Sequence, residues 1–175
     1  YKTITSLLGS RTVVFNDQPL SDFHTGIDIA APKSTTVTAA TSGTVEETCS
    51  YNWFEWGTFN TFRFGNSDQT LQQLIGFYNN FKCGWPGQYV LVKNFDGRET
   101  LYIHLDSLSV KQGDSVTGGI TKIGGVGTTG ISTGYHLHFQ VCQDGSPVYN
   151  NGKLIPAAPC KLNQIVNPCN FVSCN

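Results

Sequence analysis

Apolar and polar residues alternate with a period of two along much of the chain, the pattern of strands that bury one face. Residues 36–40 and 43–47 are short, rich in Thr and Val, and parted by a Ser-Gly turn. Residues 89–93 alternate weakly. Residues 100–105 alternate well, which places Leu101, Ile103 and Leu105 on one face and Tyr102 and His104 on the other, polar face. Residues 136–142 alternate cleanly. Glycine-rich turns at 113–114, 118–119 and 124–125 punctuate these runs. Short strands with regular turn signals predict a mainly β fold built on an antiparallel β sheet, sandwich or barrel-like core.

One segment breaks the rhythm. Residues 46–88 hold 11 of the 21 aromatic residues, and Cys49 and Cys83 bracket most of it. Within it, Leu71, Leu74, Ile75 and Tyr78 fall at helical spacing, so a helix over about 68–81 is expected. The segment reads as a helix-containing insertion between two strands, stapled at its base. No repeat, linker or low-complexity tract divides the rest, so residues 1–175 are read as a single domain.

Composition narrows the setting. The net charge is −1 and charged residues make up 13%, about half the usual ~25%. There is no cluster of Lys and Arg for nucleic acid or an anionic membrane. No apolar stretch approaches the ~20 residues that span a bilayer. The chain lacks methionine and begins without a signal-like run, so it reads as a mature, processed product. Six cysteines on a charge-poor chain point to an oxidising compartment, secreted or periplasmic. The pairing that closes local loops is Cys49–Cys83, Cys142–Cys160 and Cys169–Cys174. A cysteine zinc site is disfavoured because no C-x-x-C pair exists.

The chemistry lies in four histidines. His24 opens the run His24-Thr-Gly-Ile-Asp28, four residues before a carboxylate. His136 and His138 are two apart on a predicted strand, so both rings share a face with Cα atoms roughly 6.5 Å apart. His104 lies on another strand. A catalytic zinc takes three N or O ligands and leaves a fourth position for water. His24, Asp28 and one of His136 and His138 would supply such a set, leaving two imidazoles for proton transfer. Taken alone, any one of these histidines is more simply a hydrogen-bonded strand residue. The run Gly125-Val-Gly127-Thr-Thr-Gly130 matches G-x-G-x-x-G, but a strand rather than a helix follows it and no acid lies ~20 residues on. It is read as tight turns leading into the H-x-H strand, not as a nucleotide site. No G-x-S-x-G elbow is present, and a cysteine nucleophile paired with His104 is less consistent with an even, oxidised cysteine set.

Taken in order, His24-Thr-Gly-Ile-Asp28-Ile-Ala-Ala-Pro, Val37-Thr-Ala-Ala with Gly43-Thr-Val, Leu101-Tyr-Ile-His104-Leu and Gly127-Thr-Thr-Gly-Ile-Ser-Thr-Gly-Tyr-His136-Leu-His138-Phe resemble the lysostaphin-type (M23) zinc endopeptidases. The lead-in from Ile4 to Arg11, the turn Val110-Lys-Gln-Gly-Asp-Ser-Val and the pair Asn167-Pro168 resemble the same family. The resemblance implies one Zn²⁺ held by His24, Asp28 and His138, with His104 and His136 as the catalytic pair. It implies an antiparallel β core with a loop-lined groove. It also implies peptides of bacterial peptidoglycan, glycine bridges or stem-peptide crosslinks, as substrates of a secreted, monomeric enzyme. The aromatic insertion and the cysteines depart from the family pattern. Two other readings are weaker. A wall-binding or signalling module with a structural zinc needs a fourth protein ligand, and the motifs offer none. A carrier domain, which the 110–116 turn also resembles, lacks a Met-Lys-Met attachment site.

Overall fold

The β-rich pattern folds into one extended antiparallel sheet whose middle strands are covered on both faces. The structure, a computed structural model, describes residues 3–15, 18–50, 83, 86–143, 149–150, 153–154 and 164–174. Its strands in chain order are β1 (Thr3–Ser6), β2 (Gly9–Phe15), β3 (Gln18–His24), β4 (Ile27–Ala30), β5 (Thr36–Thr38), β6 (Gly43–Cys49) and β7 (Gln88–Asn94). They continue as β8 (Glu99–Leu108), β9 (Ser115–Val116), β10 (Lys122–Val126), β11 (His136–Cys142), β12 (Tyr149–Asn150), β13 (Lys153–Leu154) and β14 (Ile165–Val166). The main sheet runs β1-β4-β11-β8-β7-β6-β9, with β10 bridging β5 and β8 and β14 added beside β11. β2 and β3 form a hairpin of their own, as do β12 and β13.

Most of β7, β8 and β11 is buried on both faces. One face carries a large core that includes Val90, Val92, Tyr102, Leu137, Phe139 and Val141. The other carries a smaller cluster of Tyr89, Leu91, Leu101 and Ile103, with Cys49 and Cys83 packed against it. The Tyr102 and Phe139 rings meet at 5.2 Å between centroids in the larger core.

Two details correct the pattern-based reading. Leu105 does not share a face with Leu101 and Ile103; it joins Tyr102 in the larger core. His104 is buried rather than on a polar face. The cause is a bulge: His104 has φ +64°, and the pairing of β8 slips against both β7 and β10 around it. One residue in the left-handed region shifts every later side chain to the opposite face. Secondly, the glycines at 124 and 125 lie within strand β10, not in a turn. A Cβ on Gly124 would stand 2.2 Å from the Ser107 carbonyl oxygen, and one on Gly127 would stand 2.4 Å from the Asp106 nitrogen. The glycine run exists because two backbones touch there.

Disulfides join Cys49 to Cys83 and Cys169 to Cys174, and Cys142 is also disulfide-bonded. The expected partner Cys160 and the expected helix at 68–81 lie outside the described residues. A 3-10 turn, Pro168–Asn170, is capped by the Asn167 side chain, which accepts from the Cys169 nitrogen at 3.0 Å. None of the described helices is long and apolar enough to cross a membrane.

The close approach at Gly127 generates a test. Gly127→Ala is expected to destabilise the fold by more than about 2 kcal/mol, because backbone on both sides must move. Gly134→Ala, where a Cβ meets open space, is expected to change stability by no more than about 0.5 kcal/mol. Urea unfolding of the two variants checks the contrast, and equal losses would contradict it.

Candidate metal centre

Register brings the chemistry together. On β4, Ile27 and Ile29 pack into the larger core, which turns Asp28 to the opposite face. On β11, Leu137, Phe139 and Val141 face that same core, which turns His136, His138 and Gln140 the other way. His138 pairs directly across from Asp28 in the antiparallel β4–β11 ladder. His24 ends β3 and reaches the pair through Thr25 and Gly26. A Cβ on Gly26 would lie 2.4 Å from the Phe139 carbonyl oxygen and 2.7 Å from His138 Nε2. Only glycine lets this loop lie flat on β11, which explains its place between His24 and Asp28. Thr25 anchors the loop by donating from Oγ1 to Gln140 Oε1 at 2.9 Å.

Three ligand atoms converge. His24 Nε2 lies 3.0 Å from Asp28 Oδ1 and 2.9 Å from His138 Nδ1, and His138 Nδ1 lies 3.0 Å from Asp28 Oδ1. The neighbours of the rings fix where protons sit. His24 Nδ1 is 2.9 Å from the Leu7 carbonyl oxygen, which only accepts, so Nδ1 carries the hydrogen and the neutral ring presents Nε2 as a lone pair. Asp28 Oδ1 is an acceptor as well. With both rings uncharged, the three edges of this triangle share at most one proton, on His138 Nδ1. A cation satisfies all three atoms at once. Tetrahedral zinc with bonds of about 2.0–2.2 Å separates its ligands by about 3.4 Å, a few tenths of an ångström from this spacing. The donor set, two imidazoles and a carboxylate, fits such an ion.

The surrounding groups aim these ligands. Arg11 Nη1 donates to Asp28 Oδ2 at 3.0 Å and to Ser6 Oγ at 3.0 Å, so it occupies the second carboxylate oxygen and leaves Oδ1 to the centre. Burial by itself pushes the Asp28 carboxyl up. Hydrogen bonds from His138 and His24, with their charges, outweigh it and hold Asp28 far below the usual carboxylate range. Burial pushes His138 down, partly offset by Asp28.

Two more imidazoles stand beside this triangle. His104 donates from Nδ1 to the Thr129 carbonyl at 2.8 Å, and its ring centroid lies 4.7 Å from that of His136. His136 donates from Nδ1 to the Gly134 carbonyl at 2.9 Å, and its Nε2 lies 3.6 Å from Asp28 Oδ1. In their neutral forms both rings then present Nε2 as a lone pair. Burial, followed by the nearness of His136 and His138, holds His104 well below the ordinary histidine range, so it is uncharged at neutral pH.

The structure therefore gathers all five residues singled out in the sequence: His24, Asp28 and His138 in mutual contact, with His104 and His136 alongside. Sequence reasoning missed the roles of Arg11, Gly26 and Thr129. The glycine inside His24–Asp28 was the one local signal; the other two act through atoms distant in the chain.

Comparison with known proteins identifies the family. The model of Peptidase family M23 matches residues 22–150. DD-carboxypeptidase/endopeptidase Mpg of Neisseria meningitidis is 36% identical over 125 residues, 71% of this chain and 21% of that protein. Peptidoglycan DD-endopeptidase ShyC of Vibrio cholerae is 32% identical over 122 residues, 70% of this chain and 21% of that protein. The chain thus spans about a fifth of the length of these curated relatives. The catalytic domain of the antimicrobial peptidase lysostaphin from Staphylococcus simulans superposes with a TM-score of 0.62 at 22% identity, covering 97% of this chain and 90% of that one. That likeness speaks for the mainly β, antiparallel fold. With the family model matched over most of its length, the chain belongs to peptidase family M23.

Proposed function

We propose that the protein is a zinc-dependent endopeptidase that cleaves peptides of bacterial peptidoglycan, in a secreted or periplasmic setting. The observation that carries this reading is the triangle of His24 Nε2, Asp28 Oδ1 and His138 Nδ1, three metal-ligating atoms held 2.9–3.0 Å apart. These atoms would hold the ion. Zinc bound there supplies Lewis acidity toward a peptide carbonyl and toward the attacking water. The relatives, a DD-carboxypeptidase/endopeptidase and a peptidoglycan DD-endopeptidase by name, support the substrate class.

The two remaining histidines divide the proton work. Both begin as acceptors at Nε2, because each Nδ1–H is committed to a carbonyl. Burial disfavours a charged His104, so His104 acts as the neutral acceptor that orients the attacking water. His136 is more exposed and its Nε2 faces Asp28 Oδ1. It takes the water's proton, and as an imidazolium it can donate to the developing oxyanion or the leaving amine.

Residues 46–88 form an insertion in a single peptidase domain and one wall of the substrate groove on this reading. The Cys49–Cys83 bridge closes its base, and the chain leaving it reaches Pro86, whose carbonyl accepts from the His104 nitrogen at 3.1 Å. The insertion's exit thus abuts the site.

His104→Ala is expected to retain zinc while losing about 10²–10⁴-fold in turnover. His138→Ala is expected to lose zinc itself. Elemental analysis of both purified variants, beside amine release from purified cell walls, checks the division; equal zinc loss would reassign the roles, and walls bound without amine release would defeat the enzyme reading. Deleting residues within 50–82 while keeping both cysteines is expected to change which crosslinks are cut. Mass spectrometry of digests from walls of two crosslink types reads this, and unchanged preferences in a folded variant would remove the groove-wall role.

A further inference from the structure

The reading of His104 as a catalytic acceptor leaves a question of positioning. A histidine at φ +64° sits in backbone space that strains a non-glycine residue, and surrounding structure must hold it there. The holding groups are buried polar ones. Gln88, 7% exposed, donates from Nε2 to the Leu105 carbonyl at 3.2 Å and to the Asp106 carbonyl at 2.9 Å. These are the two peptides that follow His104. The Gln88 backbone nitrogen donates to Thr129 Oγ1 at 2.9 Å, and Thr129 Oγ1 donates to the same Leu105 carbonyl at 2.8 Å. The Thr129 carbonyl in turn receives the His104 Nδ1 hydrogen. Gly87 makes room for this: it has φ +70°, and a Cβ there would lie 2.4 Å from both the Thr129 carbonyl carbon and Oγ1. No other residue type permits that approach without displacing Thr129.

We infer that Gln88 is a positioning residue for His104. Its side-chain amide clamps the bulge after His104 and shares the Leu105 carbonyl with Thr129, whose own carbonyl sets the tautomer and direction of the imidazole. Its two donor hydrogens serve two carbonyls at the point where the β7–β8 and β8–β10 registers slip. Gln88 touches none of the three ligand atoms, so removing its donors should disturb the acceptor and spare the ion. This rests on the catalytic reading of His104 given above, and the test separates the two.

Gln88→Met keeps side-chain length and removes both donors. In the variant, zinc content and KM should match the unaltered protein while kcat falls about 10–100-fold, the scale of a ~1 Å misplacement. In nitrogen-15 NMR, the His104 Nδ1 proton, protected from exchange by the Thr129 carbonyl, should broaden or vanish. Gln88→Asn, which keeps a donor amide, should recover part of both signals. Thr129→Val, which deletes only the hydroxyl arm, gives the same readouts if Gln88→Met does not fold. A protected His104 proton and unchanged kcat in Gln88→Met would overturn the inference, as would loss of zinc together with turnover. If the unaltered protein cleaves no wall peptide yet shows the protected proton that Gln88→Met loses, the catalytic reading fails and the positioning stands.

Discussion

Three lone pairs aimed at one buried point form the constraint around which the rest of the site is arranged. Two imidazole nitrogens and a carboxylate oxygen at 2.9–3.0 Å repel one another unless positive charge lies between them. The fold accepts this cost through rigid pieces. β4 and β11 set Asp28 opposite His138, Gly26 lets His24 close from above, and the Leu7 carbonyl forces the His24 tautomer. Arg11 then occupies the carboxylate oxygen that faces away. Backbone register and second partners orient such a ligand set, and loss of a second partner typically costs about 10–100-fold in metal affinity or activity.

The sheet serves this site by being covered on both faces. The larger core anchors β4, β8 and β11 from one side, so their opposite sides can carry buried polar groups without losing order. The bulge at His104 uses the same support. It moves an imidazole out of the strand's alternation and points it beside His136. The glycines at 87 and 127 are its counterpart: Gly127 lies against the backbone of residues 104–106, and Gly87 lets Thr129 approach.

Much of this was legible in the sequence because it depends on period and local type. Alternation located β6, β7, β8 and β11 to within a few residues, and the H-x-H spacing placed both rings on one face of β11. The short-range pairings Cys49–Cys83 and Cys169–Cys174 followed from loop closure. The misplaced Leu105 shows where such reading stops: alternation carries no mark of a left-handed histidine. The glycine run was ambiguous for a related reason, since glycine serves tight turns and tight backbone contacts alike. Arg11, Gln88 and Thr129 left no local trace, because each acts on atoms 17 to 25 residues away through a hydrogen bond. The Zn²⁺ assignment to His24, Asp28 and His138 came from family resemblance, as spacing left His136 and His138 interchangeable.

The most direct measurement is anomalous diffraction at the zinc edge from crystals of the protein grown with zinc. A single strong peak about 2.0–2.2 Å from His24 Nε2, Asp28 Oδ1 and His138 Nδ1 is the predicted result. A well-ordered site with no peak there, or a peak bound by His136 or His104 in place of one of the three, would contradict it.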